Sequence, residues 1–196
     1  RLKQRTDLMQ NIIKKKNYKG YLEIGCDNDE NFSKIIIEKK VGVDPVKGGT
    51  LRMTSDDFFK ENKFLFDIIF LDGLHTYEQT IKDINNALKI LNEDGVILVH
   101  DCLPRKIWNQ IVPRLYGHWK GDAWKAIVHS RTYSHTETYT CTIDHGVGVI
   151  FKRKNKDILK LLNKKFKDLK FADYFNNHKN FMKPFDYEDL DKILNI

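Results

Sequence analysis

Apolar residues along the chain follow two spacings, one typical of amphipathic helices and one typical of buried strands. Leu8 and Ile12 lie one helical turn apart, and their neighbourhood predicts a first helix over residues 3–16. Residues 66–71 are apolar at every position except one, which predicts a short strand buried on both faces. The chain therefore begins as a helix and continues as strands that need cover on two sides.

The same spacings predict five further strands and two further long helices. The strands of the chain are predicted at residues 21–25, 41–44, 66–71, 96–99, 138–143 and 147–152, and helices at 77–91 and 156–169, with another helix directly after residue 31. Asp144, His145 and Gly146 join the last two strands as an antiparallel hairpin. This alternation predicts an α/β fold with a Rossmann-like doubly wound sheet, mostly parallel with a C-terminal antiparallel hairpin.

The length of 196 residues fits one domain. We expect an N-terminal helix in residues 1–17, a sheet core in 20–153, and C-terminal helices with an irregular tail in 154–196. The longest apolar runs fall well short of the roughly 20 residues that cross a bilayer, so no membrane partner is expected. Three scattered cysteines without CxxC spacing favour a reducing compartment over a disulfide framework or zinc site, and the cytoplasm is the expected location.

The net charge of +7 raises the question of nucleic-acid binding. The lysines concentrate at residues 14–16 and between 152 and 170, where they are spread over segments with helical spacing. Such a distribution favours a solvated lysine-rich surface over a dedicated nucleic-acid face. We therefore do not expect a nucleic-acid partner.

Polar residues stand at the carboxyl ends of the predicted core strands, which is where doubly wound sheets bind ligands. These residues are Glu23 and Gly25 after the first strand, Asp44 after the second, Asp72 after the next, and His100 with Asp101 after the one that follows. Any one of these acids can be a structural cap, and a histidine such as His100 can be a core residue whose hydrogen bonds are made within the protein. Their convergence at one edge of the sheet favours a functional site.

The first two strand ends indicate a nucleoside ligand. Gly25 lets the backbone approach a ligand closely, and the helix expected after it offers free N–H groups. Asp44 lies twenty-one residues beyond Glu23, close to the separation of about 20 residues at which an acidic side chain binds a ribose. Each feature is weak evidence by itself, and the two together favour nucleoside binding.

A set of motifs occurs in one order along the chain between Tyr21 and Phe151. They are Glu23–Gly25, Val43–Pro45, Thr54–Phe59, Asp67–Glu78 followed by Asp83, Gly95–Cys102, and Gly121–Ala126. In type and order they resemble the class I S-adenosylmethionine-dependent methyltransferases of the methyltransferase-24 type. The resemblance implies S-adenosylmethionine as cofactor and transfer of its methyl group to an acceptor.

The resemblance also implies a role for each matching residue. Glu23, Gly25 and the adjacent Cys26 would line the methionine half of the cofactor, Asp44 would bind its ribose, and Ser55 and Asp56 would flank its adenine. Asp72, at the tip of the fourth strand in such folds, would face the methyl-bearing sulfur or a metal, with His75 in the same cleft and Asp101 completing the site. The family commonly has a second glycine where this chain has Asp29. Aspartate tolerates left-handed backbone, but its charge near the cofactor carboxylate is expected to weaken affinity.

The acceptor hydroxyl must lose its proton, and the sequence supports two mechanisms for this step equally. In the first, Asp72 and Asp101 bind Mg²⁺, which lowers the pKa of an acceptor hydroxyl. The third ligand would then fall at Cys102, which is a poor magnesium ligand. In the second, His75 or His100 acts as general base, since imidazole titrates near neutral pH.

The predicted activity is O-methylation of a small hydroxyl-bearing, sugar-like acceptor. Four aromatic residues in a segment without periodicity are candidates for an acceptor pocket or lid, although core packing is the commoner role for any one of them: Trp108, Tyr116, Trp119 and Trp124. From the sequence, the protein can be a monomer or a homo-oligomer.

Two other functions compete with methyl transfer. A nicotinamide-dependent oxidoreductase would need a GxGxxG turn, and Gly25 is the only glycine between Glu23 and Phe32. A degenerate nucleoside- or nucleic-acid-binding module without catalysis is motivated by Asp29, Cys102 and the positive charge.

Overall fold

The computed structural model describes residues 2–115, 117–161 and 165–195. Its strands are β1 (Gly20–Ile24), β2 (Lys39–Val43), β3 (Phe66–Leu71), β4 (Leu91–Val99), β5 (Glu137–Cys141), β6 (Val147–Phe151) and β7 (Pro184–Phe185). Its α-helices are α1 (Arg5–Lys16), α2 (Ser55–Glu61), α3 (Tyr77–Ile90), α4 (Trp124–Ser130), α5 (Phe171–Met182) and α6 (Leu190–Leu194).

The strands form one seven-stranded sheet in the order β2-β1-β3-β4-β6-β5-β7. The first four strands of this order are parallel, and β6 runs antiparallel between β4 and β5. The predicted doubly wound sheet and its antiparallel hairpin are thereby confirmed. Because the chain leaves β1 toward β2 on one side and returns to β3 on the other, the strand order reverses at β1, and a crevice opens there at the carboxyl ends.

Side chains of the central strands alternate between two hydrophobic cores. In β3, Ile69 and Leu71 pack with Ile84 of α3 and Trp124 of α4, whereas Ile68 and Phe70 belong to the core on the opposite face. That second core is completed by apolar residues of the first and last helices: Leu8, Met9, Ile12, Leu190 and Leu194. Cover on both faces explains why the strand is almost continuously apolar.

Two predicted helices are absent from the described residues. The segment after residue 31 makes a single 3₁₀ turn, Phe32–Lys34, and Ile36 beyond it is 79% exposed because β2 begins three residues later. Residues 156–161 and 165–169 are also not α-helical and contain one 3₁₀ turn, while residues 162–164 lie outside the described part.

Tertiary hydrogen bonds account for the loss of the helix predicted at 156–169. The side-chain amide of Asn155 donates to the backbone carbonyls of Arg131 and Tyr133, and the backbone N–H of Leu159 donates to the same Arg131 carbonyl. These bonds hold the segment against the end of α4. The tail beyond it is more regular than predicted, since it forms α5, β7 and α6.

Asp72 follows the third strand in chain order, not the fourth that the resemblance implied. Between β2 and β3 the described chain forms α2 and a one-residue bridge between Val43 and Leu51, but no further strand. Within the described residues, no helix is both long enough and apolar enough to pass through a bilayer.

The segment before α4 is attached to the start of α3. Asp122 accepts a hydrogen bond from the backbone N–H of Tyr77 at 2.7 Å. Gly121 lies so close to His75 that a Cβ atom placed on it would be 1.9 Å from the His75 carbonyl oxygen. This contact fixes the backbone of His75 beside the strand ends.

We expect Gly121→Ala to lower the free energy of unfolding by more than the matched variant Gly117→Ala. Both glycines have positive φ, 57° and 67°, a conformation that costs an ordinary residue about 1–2 kcal/mol. Only at Gly121 would the added methyl overlap backbone, because nothing lies within 4 Å of a Cβ on Gly117. Urea unfolding of the two variants measures this difference in the free energy of unfolding. Equal decreases in the two variants would contradict the close approach of Gly121 to the His75 carbonyl.

Candidate functional site

Two adjoining cavities lie at the carboxyl ends of the parallel strands. The larger is a cleft of about 630 Å³ bordered by the ends of β1, β2 and β3, and the smaller has a volume of about 300 Å³. Gly25, Asp27 and Asp72 line both cavities. They occupy the point where the strand order reverses, as expected for a ligand site in a doubly wound sheet.

Gly25 is the residue that joins the two cavities. Its φ is +87°, and a Cβ atom at this position would lie 2.2 Å from the carbonyl oxygen of Asp72. Its backbone N–H donates to the carbonyl of Val43, and the N–H of Asp72 donates to Ile24, each at 2.8 Å. The position therefore accepts glycine alone, and it draws the ends of β1, β2 and β3 together.

Asp29 adopts the left-handed conformation that the resemblance assigns to a second glycine, with φ of 59°. Its carboxylate accepts a hydrogen bond from the backbone N–H of Gly49 at 2.7 Å, in the loop between β2 and α2. Asp29 lies outside the lining of both cavities. Its carboxylate is thus hydrogen-bonded outside both cavities.

Asp44 stands in the wall of the larger cleft as an ionised carboxylate. One oxygen accepts the backbone N–H groups of Val46 and Lys47 at 2.8 and 3.0 Å, and the other accepts that of Asp27 at 3.0 Å. Burial raises the pKa of Asp44, but these backbone donors outweigh it and hold the pKa below its ordinary value. The carboxylate lines the cleft, where a ligand hydroxyl can donate to it.

Ser55 and Asp56, which are predicted to flank the adenine, line the same cleft. Both are held by Gln79 of α3, whose side-chain amide lies 3.2 Å from Ser55 Oγ and 3.1 Å from Asp56 Oδ1. The same amide donates to Asp83 at 2.9 Å, and burial raises the pKa of Asp83 to about 6. Sequence reasoning missed Gln79, and its only signal is a position one helical turn before Asp83.

Glu23 and Cys26 lie in the smaller cavity, where Glu23 is almost fully buried. Its carboxylate accepts hydrogen bonds from the Tyr21 hydroxyl and from the Asn31 amide, the latter at 2.9 Å. Burial outweighs these donors and raises the pKa of Glu23 to about 7. Burial also raises the pKa of the Cys26 thiol, which stays neutral and unreactive.

Arg5 and Asp144 reach this site from distant parts of the chain, and sequence reasoning missed both. The predicted hairpin turn at Asp144 is confirmed, and its carboxylate lies 2.8 Å from the Arg5 guanidinium and 3.1 Å from the Arg5 backbone nitrogen. The guanidinium Nε is also 3.8 Å from Asp72. Arg5 thereby brings a permanent positive charge from the start of α1 into the smaller cavity.

His100 is held between two acids and donates from both ring nitrogens. Nδ1 lies 3.0 Å from Asp72 Oδ1, and Nε2 lies 3.0 Å from the backbone carbonyl of Asp144, which can only accept. Burial lowers the pKa of His100, but the charge of Asp72 and the bond to Asp144 outweigh it and raise the pKa to about 10. His100 is therefore an imidazolium at neutral pH, with no lone pair to accept a proton.

His75 has a freer side chain in the same cavity. Its Nε2 lies 3.6 Å from Asp72 Oδ1 and 4.0 Å from Asp101 Oδ2, and its side chain is 20% exposed. The ring meets the edge of Trp119 at a centroid distance of 6.1 Å. Of the two predicted histidines, His75 is the one whose imidazole is open to a ligand.

Asp101 pairs with a lysine that sequence reasoning did not identify. Lys120 Nζ lies 2.8 Å from Asp101 Oδ1, and the lysine side chain is only 5% exposed. Lys120 falls in a stretch without periodicity, so nothing in its spacing distinguishes it from a surface lysine.

The residues proposed as magnesium ligands do not fit the ion. Mg²⁺ requires an octahedron of oxygen ligands, whereas Asp72 and Asp101 turn oxygens toward His100 and Lys120. Cys102, at the position of the third ligand, is buried with its thiol 3.2 Å from the Val99 carbonyl. In the described ranges, no group of three His, Cys, Asp or Glu side chains could hold a metal ion.

The aromatic segment contributes one residue to the site. Trp119 contacts His75 and donates its indole N–H to the Ile111 carbonyl at 2.6 Å. Trp124 is fully buried against Tyr174 in the core, and Trp108 is 38% exposed at the surface. Tyr116, also predicted for an acceptor pocket or lid, lies outside the described residues.

Comparison with known proteins gives one family match and similar folds. A family model described as a methyltransferase domain matches residues 12–102. The chain is similar to the methyltransferase PaMTH1 of Podospora anserina, bound to S-adenosylhomocysteine, at 16% identity and a TM-score of 0.58 over 76% of this chain and 78% of that one. It is similar to an O-methyltransferase of Bacillus cereus in complex with S-adenosylhomocysteine, at 12% identity and a TM-score of 0.56 over 76% and 80%. No curated protein sequence matches it.

A third similar structure is the O-methyltransferase TomG of Streptomyces achromogenes, involved in tomaymycin synthesis and solved with S-adenosylmethionine, at 11% identity and a TM-score of 0.55 over 76% and 79%. At these identities the structural likeness is one of fold. The family match to residues 12–102 agrees with the resemblance to the class I S-adenosylmethionine-dependent methyltransferases, and the similar structures share the fold of this chain.

We expect the stability that His100 contributes to depend on pH. Because its pKa rises from 6.5 to about 10 on folding, the contribution is fully present below pH about 6.5 and is lost as the pH rises toward 10. The gap in melting temperature between the wild type and His100→Gln should be widest near pH 6 and narrow by pH 10. The exposed His135→Gln variant serves as control with little gap at either pH. A gap independent of pH would contradict a charged His100.

Proposed function

We propose that this protein is a methyltransferase that moves the methyl group of S-adenosylmethionine to the hydroxyl of a small, sugar-like acceptor, with His75 as general base. The observation that carries the proposal is the pairing of two cavities on either side of Gly25. One cavity presents the ionised Asp44, and the other presents His75 beside Asp72 and Asp101.

The larger cleft suits the adenosine part of the cofactor. The Asp44 carboxylate lines this cleft and would accept hydrogen bonds from ribose hydroxyls, and Ser55 and Asp56 would flank the adenine. The smaller cavity suits the methionine part, because Arg5 offers a cation to its carboxylate, and Asp72 and the carboxyl oxygens of Glu23 offer acceptors to its ammonium. When bound, the cofactor supplies a methyl group that its sulfonium has already activated.

His75 is better placed than His100 to take the acceptor proton. His100 is protonated and uses both ring nitrogens as donors, whereas His75 Nε2 lies beyond hydrogen-bond distance of its neighbours. As the proton moves to Nε2, the nearby carboxylates of Asp72 and Asp101 stabilise the imidazolium that forms. Magnesium-assisted deprotonation is the less favoured interpretation, because both acids are already paired with cationic side chains.

A hydroxyl-bearing acceptor agrees with the lining of the smaller cavity. Its walls are mostly polar or charged, with the exposed Asn28 and Glu30 beside the acids already named. Such groups pair with several hydroxyls at once, as a sugar requires. Trp119 covers His75 from one side and adds an apolar surface.

We expect Asp44→Asn to weaken binding of S-adenosylmethionine and S-adenosylhomocysteine roughly tenfold to a hundredfold, since a hydrogen bond to a charged group contributes about 1.5–3 kcal/mol. Isothermal titration measures both affinities. Asp67→Asn is the matched control: its carboxylate also accepts two backbone N–H groups, at 2.8 Å each, but it lies at the opposite end of β3. Absence of binding to the wild type would refute the proposed function and favour the degenerate binding module.

We expect His75→Ala to slow methyl transfer by roughly 10²- to 10⁴-fold, the range typical of a general base, and to leave S-adenosylhomocysteine affinity nearly unchanged. Turnover is measured with radiolabelled S-adenosylmethionine and the best acceptor from a panel of sugars and other small hydroxyl compounds. Added imidazole should restore part of the rate. The exposed His178→Gln variant is the control, and full activity of His75→Ala would remove His75 from the mechanism.

A further inference from the structure

We infer that the ammonium of Lys120 takes the place of a divalent cation at the carboxyl ends of β3 and β4, so that the site works without a metal. The inference refines the proposed function, since it concerns the acids beside the proposed base. Its test measures cation binding and needs no turnover.

Side chains of metal-binding types do converge at these strand ends. Asp72 and Asp101 each lie within 4.0 Å of both His75 and His100. Two carboxylates and two imidazoles at such separations would ordinarily suggest a transition-metal site. The hydrogen bonds of the cluster decide otherwise.

Two of the four groups are already committed as partners of other groups. His100 directs Nδ1 to Asp72 and Nε2 to the Asp144 carbonyl, and the second of these bonds requires a hydrogen on the nitrogen. Asp101 Oδ1 accepts from Lys120 at 2.8 Å. A metal ligand needs a free lone pair, which His100 lacks, and the ammonium of Lys120 occupies the position beside Asp101 Oδ1 where a cation would bind.

Lys120 is built into the site and is not a chance surface neighbour. It is 4% exposed, and its backbone N–H donates to the Asn109 carbonyl at 2.7 Å. The next residue, Gly121, packs directly on the His75 carbonyl. A lysine buried to this degree requires an anionic partner, and Asp101 provides it.

The charges of the cluster leave little room for a further cation. The acids Asp72, Asp101 and Asp144 are contacted by three positively charged groups from separate parts of the chain, namely Arg5, His100 and Lys120. A divalent ion placed among them would meet repulsion from each. Lys120 thus positions Asp101 beside His75, which is the task that a metal would otherwise perform.

The test is a titration with Mn²⁺, followed by the electron paramagnetic resonance signal of the free ion. The wild type should bind no Mn²⁺ at millimolar concentration, and EDTA should not change its melting temperature. Lys120→Ala frees the Asp101 carboxylate and should gain saturable Mn²⁺ binding, which the double variant Lys120→Ala/Asp101→Asn should lose. If Lys120→Ala does not fold, Lys120→Met keeps the apolar stem and serves instead.

The matched control is Lys125→Ala. Lys125 is also buried and pairs with an acid, Asp122, at 2.9 Å, but it lies outside both cavities. This variant should bind no Mn²⁺. Mn²⁺ binding by the wild type, or its absence in the folded Lys120 variant, would overturn the inference. Titration of the same samples with S-adenosylhomocysteine tests the proposed function separately.

Discussion

The arrangement of the site depends on the contact between Gly25 and the carbonyl of Asp72. A Cβ atom at Gly25 would come within 2.2 Å of that oxygen, so the ends of β1 and β3 can meet only because this side chain is missing. The contact places Asp72 in the wall of both cavities. It thereby sets the cleft that holds Asp44 next to the cavity that holds the histidines.

Once the strand ends meet, their acids must be neutralised in a poorly solvated space. The chain does this with its own cations: Arg5 comes from the first helix, His100 from the end of β4, and Lys120 from the segment before α4. The same pairing makes His100 a donor on both sides and leaves His75 as the open imidazole. Charge balance therefore divides the roles of two histidines that look alike in the sequence.

The C-terminal half contributes to the site through packing. Gly121 and Asp122 attach the segment before α4 to the start of α3, which holds Trp119 and Lys120 against the strand ends. The hairpin turn at Asp144 reaches back to Arg5 across 139 residues of sequence. The parallel part of the sheet carries the edge with the two cavities, and the antiparallel hairpin and the first helix close one side of it.

The sequence by itself determined the sheet, its hairpin and the strand-end residues, because strand and helix spacing are local properties and the carboxyl ends of parallel strands share one edge. Tertiary structure alone decided the partners of those residues. Arg5, Gln79, Lys120 and Asp144 have no distinguishing spacing, and they meet the site only when distant segments pack. The helix predicted at 156–169 fails for the same reason: hydrogen bonds from Asn155 and Leu159 to Arg131 replace those of a helix. Protonation of His100 likewise follows from burial beside Asp72 and Asp144, since a pKa is set by neighbours in space.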